Sequence, residues 1–280
     1  MDVLRYAAFT DDPAGGNPAG IVLDAVGAGA EEMLAVAAEV GYAETALVVD
    51  TAHGAERRLG LRYFSPHAEV PFCGHATVAT AVALAERLGA GAFEFDTPVG
   101  VVGLETHLTG GAPTASFTSV EPALEELPAP ALDDLLDLLG IGLEDLDETH
   151  PPRIAAAGNP HPVLVLREAA VFDGFRFDPR AARQVLDAHG WPATVSVLHR
   201  SAPGVFEARN LFPVGSITED PATGSAAAAF GGYLRLLGLV EPPVRITIHQ
   251  GRHVGRPGTL VVDVPASGGI VVTGRAVPLD

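Results

Sequence analysis

This chain repeats itself, and the repeat constrains its fold more than any other feature. Gly16-Asn17-Pro18 opens one apolar run and Gly158-Asn159-Pro160 opens another. Further on, Arg62-Tyr63-Phe64-Ser65-Pro66 leads to Cys73-Gly74-His75-Ala76-Thr77 and an Ala-rich stretch ending at Gly89. In the same order, Arg209-Asn210-Leu211-Phe212-Pro213 leads to Thr223-Gly224-Ser225-Ala226-Ala227 and an Ala-rich stretch ending at Gly238. The second copy has three extra residues between its Pro and its Gly. A single Gly-Asn-Pro is only a turn. Two matched segments, in one order and at nearly one offset, imply a duplicated domain.

The patterning agrees. Helical period with few β-branched residues falls at about 30–39, 75–88, 131–139, 178–189 and 224–237. Asp178-Pro179 reads as an N-cap followed by Pro at the first helical position. Strand-like runs lie at 3–9, 19–23, 45–49, 57–64, 99–106, 114–119, 153–157, 162–166, 194–199, 205–211, 244–249, 259–264 and 270–273. Strands follow one another through turns, which predicts an α+β fold with antiparallel or mixed sheets. The expected halves are 1–122 and 123–280, with the C-terminal strand (269–280) free to join the first half. The Pro-, Glu- and Ala-rich segment 121–135 is expected to be the linker between them.

Composition excludes several chemistries. The chain has 17 basic residues, all Arg, against 35 acidic ones. Without Lys there is no Schiff base and no Walker-type phosphate loop. A net charge of −18 argues against nucleic acid and anionic membrane as partners. Cys73 is the one cysteine, so no internal disulfide and no thiolate zinc cluster can form. The ten histidines show no metal-ligand spacing, and no metal is expected. The N-terminal residues carry Asp2, Asp11 and Asp12 and no apolar run, unlike a signal peptide, so a cytoplasmic protein is expected.

The two Ala-rich helices are slim and apolar on every side, so they should be buried inside curled sheet. A buried helix start leaves amide N–H groups in need of an acceptor. Gly74 and Gly224, just before each helix, permit close approach by a carboxylated ligand. His75 follows Gly74, and the positive helix end favours its neutral form. Asp220 precedes Ser225 by five residues and is either a site carboxylate or a turn residue. Ser225 reads as a ligand group or as an N-cap. Glu44 heads the apolar run 45–49, either as a buried acid/base or as an exposed strand-end carboxylate. Cys73 reads as a small packing residue. Its repeat partner is Thr223, which excludes a two-thiol racemase.

At these residues the sequence resembles the PhzF-like family of phenazine biosynthesis. The matching pieces are Phe9-Thr10-Asp11 through Ala19, Ala43-Glu44-Thr45-Ala46, Phe64-Ser65-Pro66 through Thr77, Asp220 through Ala226, and Gln250 through Pro257. They span nearly the whole chain; Gly258 stands where the family often has Ser. The resemblance implies a diaminopimelate epimerase-like fold: two pseudo-symmetric domains, each a sheet rolled around a central helix, with the active site between them. It also implies a homodimer, no cofactor, and an isomerase that moves a proton between carbons of a small carboxylated metabolite such as trans-2,3-dihydro-3-hydroxyanthranilate. By the same resemblance Glu44, His75 and Asp220 are the catalytic positions, and Asn17, Gly74, Gly224 and Ser225 bind substrate. Two rival readings are a one-carbon epimerase or racemase using Glu44 and Asp220, and a metabolite-binding module without catalysis.

Overall fold

The computed structural model describes residues 1–51, 57–213 and 218–280. The chain divides into two compact units: Met1–Thr118 with Thr273–Asp280, and Ser119–Val272.

The first unit contains β1 (Leu4–Ala8), β2 (Asn17–Val22), helix α1 (Ala30–Val40), β3 (Glu44–Asp50), β4 (Arg58–Phe64), β5 (Glu69–Val70), helix α2 (Gly74–Leu88), β6 (Gly91–Thr97), β7 (Gly100–Thr109) and β8 (Ala112–Thr118). Strand pairing runs β1–β2–β3–β4–β6–β7–β8, with the short β5 on β4. The last strand of the chain, β17 (Val271–Pro278), pairs with both β8 and β1 and closes the ring. The β2–β3 and β4–β6 pairs are parallel, whereas β1–β2, β3–β4, β4–β5, β6–β7, β7–β8 and β1–β17 are antiparallel. Helix α2 packs on β1, β2, β3, β7 and β8, and every residue from His75 to Ala85 is buried. Alanines at 76, 79, 81 and 83 let the strands close around it; a bulkier helix would not fit at interior packing density. Helix α1 presses Met33 and Ala37 against Leu47 and Phe64.

The second unit holds β9 (Ala123–Glu126), α3 (Ala129–Leu139), β10 (Arg153–Ala156), β11 (Pro160–Leu166), α4 (Ala169–Gly174), α5 (Pro179–Ala188), β12 (Val195–Ala202), β13 (Val205–Leu211), β14 (Glu219–Asp220), α6 (Gly224–Leu236), β15 (Val244–Gln250) and β16 (Gly258–Val264). Its strands pair in the order β9–β10–β11–β12–β13–β15–β16, with β14 on β13. Parallel pairs recur at the equivalent places, β11–β12 and β13–β15. Helix α6 packs on β9, β10, β11 and β16 and is buried from Ala226 to Leu234. The duplication is therefore structural: each unit is mixed sheet around one small-residue helix. Even an ion pair is repeated. Arg62 meets Glu69 in the first unit, and Arg209 meets Glu219 in the second, where both side chains are buried.

Segment 121–135 is not a linker. Residues 123–126 form β9, which pairs with β10. Helix α3 then puts Leu135, Leu136 and Leu139 into a core with Phe172, Leu186 and Trp191. Pro128 stands at its N-cap and Pro130 in its first turn, where no intrahelical N–H is required. The prolines mark a helix start, not a loop. Asp178 caps α5 by accepting the Arg180 N–H at 2.8 Å. The extra residues of the second repeat fall around 214–217, outside the described residues. Among the described residues no helix is long and apolar enough to cross a membrane.

Candidate active site

Glu44 is the first residue of β3, placed opposite Ala19 by the parallel pairing with β2. It is not an exposed strand end, since its side chain is only 16% exposed. The start of α2 supplies its neighbours. Cys73 holds the N-cap position of α2 without a side-chain cap bond, and His75 is the second helical residue. Glu44 Oε2 lies 3.5 Å from His75 Nε2 and 3.5 Å from Cys73 Sγ. Sγ in turn lies 3.3 Å from His75 Nδ1.

Asn17 completes the group, its Nδ2 3.1 Å from His75 Nδ1. The turn before it depends on Gly16, at φ +59°, where a Cβ would overlap the Ala8 carbonyl oxygen. The Gly of Gly-Asn-Pro is thus a packing requirement that delivers Asn17 to the helix start.

Burial pushes the His75 pKa down to about 4, opposed by a hydrogen bond to the Pro18 backbone. The imidazole is neutral at pH 7, and desolvation is the main cause. The first intrahelical bond of α2 runs from Thr77 N–H to the Cys73 carbonyl, so the amides of residues 74–76 have no acceptor within the helix. In α6 the corresponding bond is Ala227 to Thr223, leaving the amides of 224–226 likewise.

Around the start of α6 the second unit builds a different polar group. Asp220, in register with Asn210 on β13, is buried and accepts a 2.5 Å hydrogen bond from the Thr223 hydroxyl. Gln250 donates to the Asp220 carbonyl at 2.6 Å and accepts the Thr223 N–H at 3.2 Å. Thr223, not Ser225, is the N-cap residue of α6. The Ser225 hydroxyl instead meets His161 Nε2 at 3.2 Å.

The state of His161 follows from its other partners. Nδ1 lies 3.1 Å from the Thr194 carbonyl oxygen, which can only accept, so Nδ1 carries the proton. Burial lowers the His161 pKa to about 4. The ring is neutral, Nε2 is bare, and it takes the Ser225 proton.

Sequence reasoning missed His161, Gln250 and Thr223 as parts of this group. One signal was available: His161 follows the second Gly-Asn-Pro where the first repeat has Ala19, a polar residue in a core position.

The two units are unequal in acids. Asp220 pairs with Asn210 as Val70 pairs with Tyr63. Thr194, two residues before the Ser196 that pairs with Val163, holds the place of Glu44. Neither acid has an acidic counterpart in the other repeat. Glu44, Cys73 and His75 each offer a metal-ligating atom, and these atoms lie within 4.8 Å of one another.

A family model described as phenazine biosynthesis-like protein, PhzC-PhzF, matches residues 6–280. The chain belongs to the PhzC-PhzF family. A curated family relative, the uncharacterized isomerase YfhB of Bacillus subtilis, is 30% identical over 99% of this chain and 96% of its own length. A trans-2,3-dihydro-3-hydroxyanthranilate isomerase of Pseudomonas chlororaphis is 29% identical, covering 90% of this chain and 86% of its own. Among solved structures, a PhzF-family phenazine biosynthesis protein of Bacillus anthracis superposes with a TM-score of 0.86 at 26% identity, covering 100% of this chain and 98% of that one. A probable proline racemase of Agrobacterium radiobacter shares the fold, with a TM-score of 0.64 at 13% identity. The fold is the diaminopimelate epimerase-like one, and the PhzC-PhzF chain described here is an isomerase.

Proposed function

We propose that this isomerase moves a proton between carbons of a small carboxylated, amino-acid-derived metabolite of the trans-2,3-dihydro-3-hydroxyanthranilate type, without a cofactor. One observation carries the reading: a largely buried carboxylate, Glu44, faces a neutral imidazole, His75, at the N-terminus of a buried helix. A carboxylate enclosed in this way is a general base for a carbon acid, and once protonated it returns the proton to another carbon. His75, uncharged, is free to donate or accept as charge moves through the substrate.

Asp220 is the further catalytic position proposed, held rigid by Thr223 and Gln250. The helix-start amides of Gly74 and Gly224 take the substrate carboxylate and developing negative charge. Ser225 already gives its proton to His161, so it offers lone pairs to an amino or hydroxyl hydrogen. Asn17 holds the His75 ring. The family relative that isomerises trans-2,3-dihydro-3-hydroxyanthranilate supports this substrate class.

The test is incubation of the enzyme with trans-2,3-dihydro-3-hydroxyanthranilate in D₂O, followed by ultraviolet absorbance and proton NMR. Migration of a double bond, with the hydrogen arriving at a new carbon, is expected. Deuterium on the original carbon with inversion would establish the epimerase instead. Tight binding without conversion, insensitive to Glu44→Gln, would leave only a binding module.

A further inference from the structure

Glu44, Cys73 and His75 present an oxygen, a sulphur and a nitrogen, the three donor types that zinc accepts from proteins. Zinc bonds of about 2.3 Å to sulphur and about 2.0–2.2 Å to nitrogen and oxygen set tetrahedral corners roughly 3.3–3.6 Å apart. Here Sγ to Oε2 is 3.5 Å, Nε2 to Oε2 is 3.5 Å and Sγ to Nε2 is 3.7 Å. The three atoms already stand at nearly the separations of three corners of a zinc tetrahedron. A thiolate and an imidazole select zinc over magnesium or calcium, which prefer all-oxygen shells. Three protein ligands leave the fourth corner to water.

We propose that Glu44, Cys73 and His75 form an inhibitory zinc site, in which the ion captures the carboxylate that the isomerase needs. On binding, the Cys73 thiol gives its proton to the buffer and the thiolate bonds the metal. The inhibition rests on the catalytic role proposed for Glu44, whereas the binding does not.

The test uses the full chain freed of metal, first without substrate. Cobalt(II) titration should give one ion per chain and a near-ultraviolet thiolate-to-cobalt band that zinc abolishes. Calorimetry in buffers of different ionisation heat should show about one proton released per zinc. Cys73→Ser should remove the band and weaken zinc by more than the ~10–100-fold that loss of an outer-shell partner costs. Glu44→Gln should keep the band and weaken zinc, which keeps the test open if the serine variant does not fold. No band, or zinc affinity unchanged in a folded variant, overturns the site. With substrate present, zinc should stop wild-type turnover and a chelator should restore it; turnover unaffected by bound zinc overturns the inhibition. Metal binding without any isomerase activity would sink the proposed function alone. Glu44-dependent turnover with no metal binding would sink the zinc site alone.

Discussion

His75 and His161 belong to different repeats and contact different partners, yet both are enclosed imidazoles held neutral by desolvation. Around them the chemistry is set by single contacts. Glu44→Gln keeps the shape of the side chain and removes its basicity, and is expected to lower turnover ~10²–10⁴-fold with little change in the unfolding midpoint, measured by steady-state rates and by denaturant titration. His161→Phe leaves the Ser225 hydroxyl and the Thr194 carbonyl without their shared partner. A loss of about 1–3 kcal/mol in unfolding free energy is expected, from the cost of unmatched buried polar groups. Unchanged stability by urea titration would show that the ring is not needed there. Glu44, His75, Asp220 and Ser225 were legible as candidates because motifs carry them. His161 was not, because its partner Ser225 lies 64 positions away.

The repeated element is a helix thin enough to be wrapped by strands. Ala79 in α2 has no exposed surface, and five strands pack on that helix. Ala79→Leu is expected to destabilise the protein by ~1–3 kcal/mol through overpacking, read as a lower midpoint in thermal or urea unfolding. A substitution at an exposed position of α5, such as Arg180→Leu, should cost far less in the same assay. The composition of α2 and α6 announced both burial and helicity. Strand β6 was missed although Phe93 and Phe95 point inward and Glu94 outward, the alternation a half-buried strand requires. Its Gly-Ala start reads as the tail of the preceding helix. The helix at 131–139 was expected and is found as α3; the linker reading of 121–135 failed because proline at a helix start and proline in a loop look alike until packing separates them.

Over the whole molecule the buried imidazoles make stability depend on pH. In the unfolded chain a histidine binds its proton near pH 6.5, and in the folded chain only near 4. Their contribution is therefore fully present above about pH 6.5 and is lost as pH falls towards about 4, by up to ~3 kcal/mol apiece. Comparing urea midpoints of wild type and His161→Phe between pH 7.5 and 4.5 isolates one of them. The variant should show the shallower loss; equal slopes would mean His161 is not held neutral. The sequence by itself determined that two related α+β halves exist, each wound on a small-residue helix, because duplication and periodicity are written in consecutive residues. It also put forward Glu44 and His75 as candidates, because each sits in a local motif. Only the tertiary structure decided that Glu44, Cys73, His75 and Asn17 meet, and that His161 fixes Ser225. Those contacts join strands to helix starts far along the chain, and strand register and burial set them, neither of which any local stretch of sequence encodes.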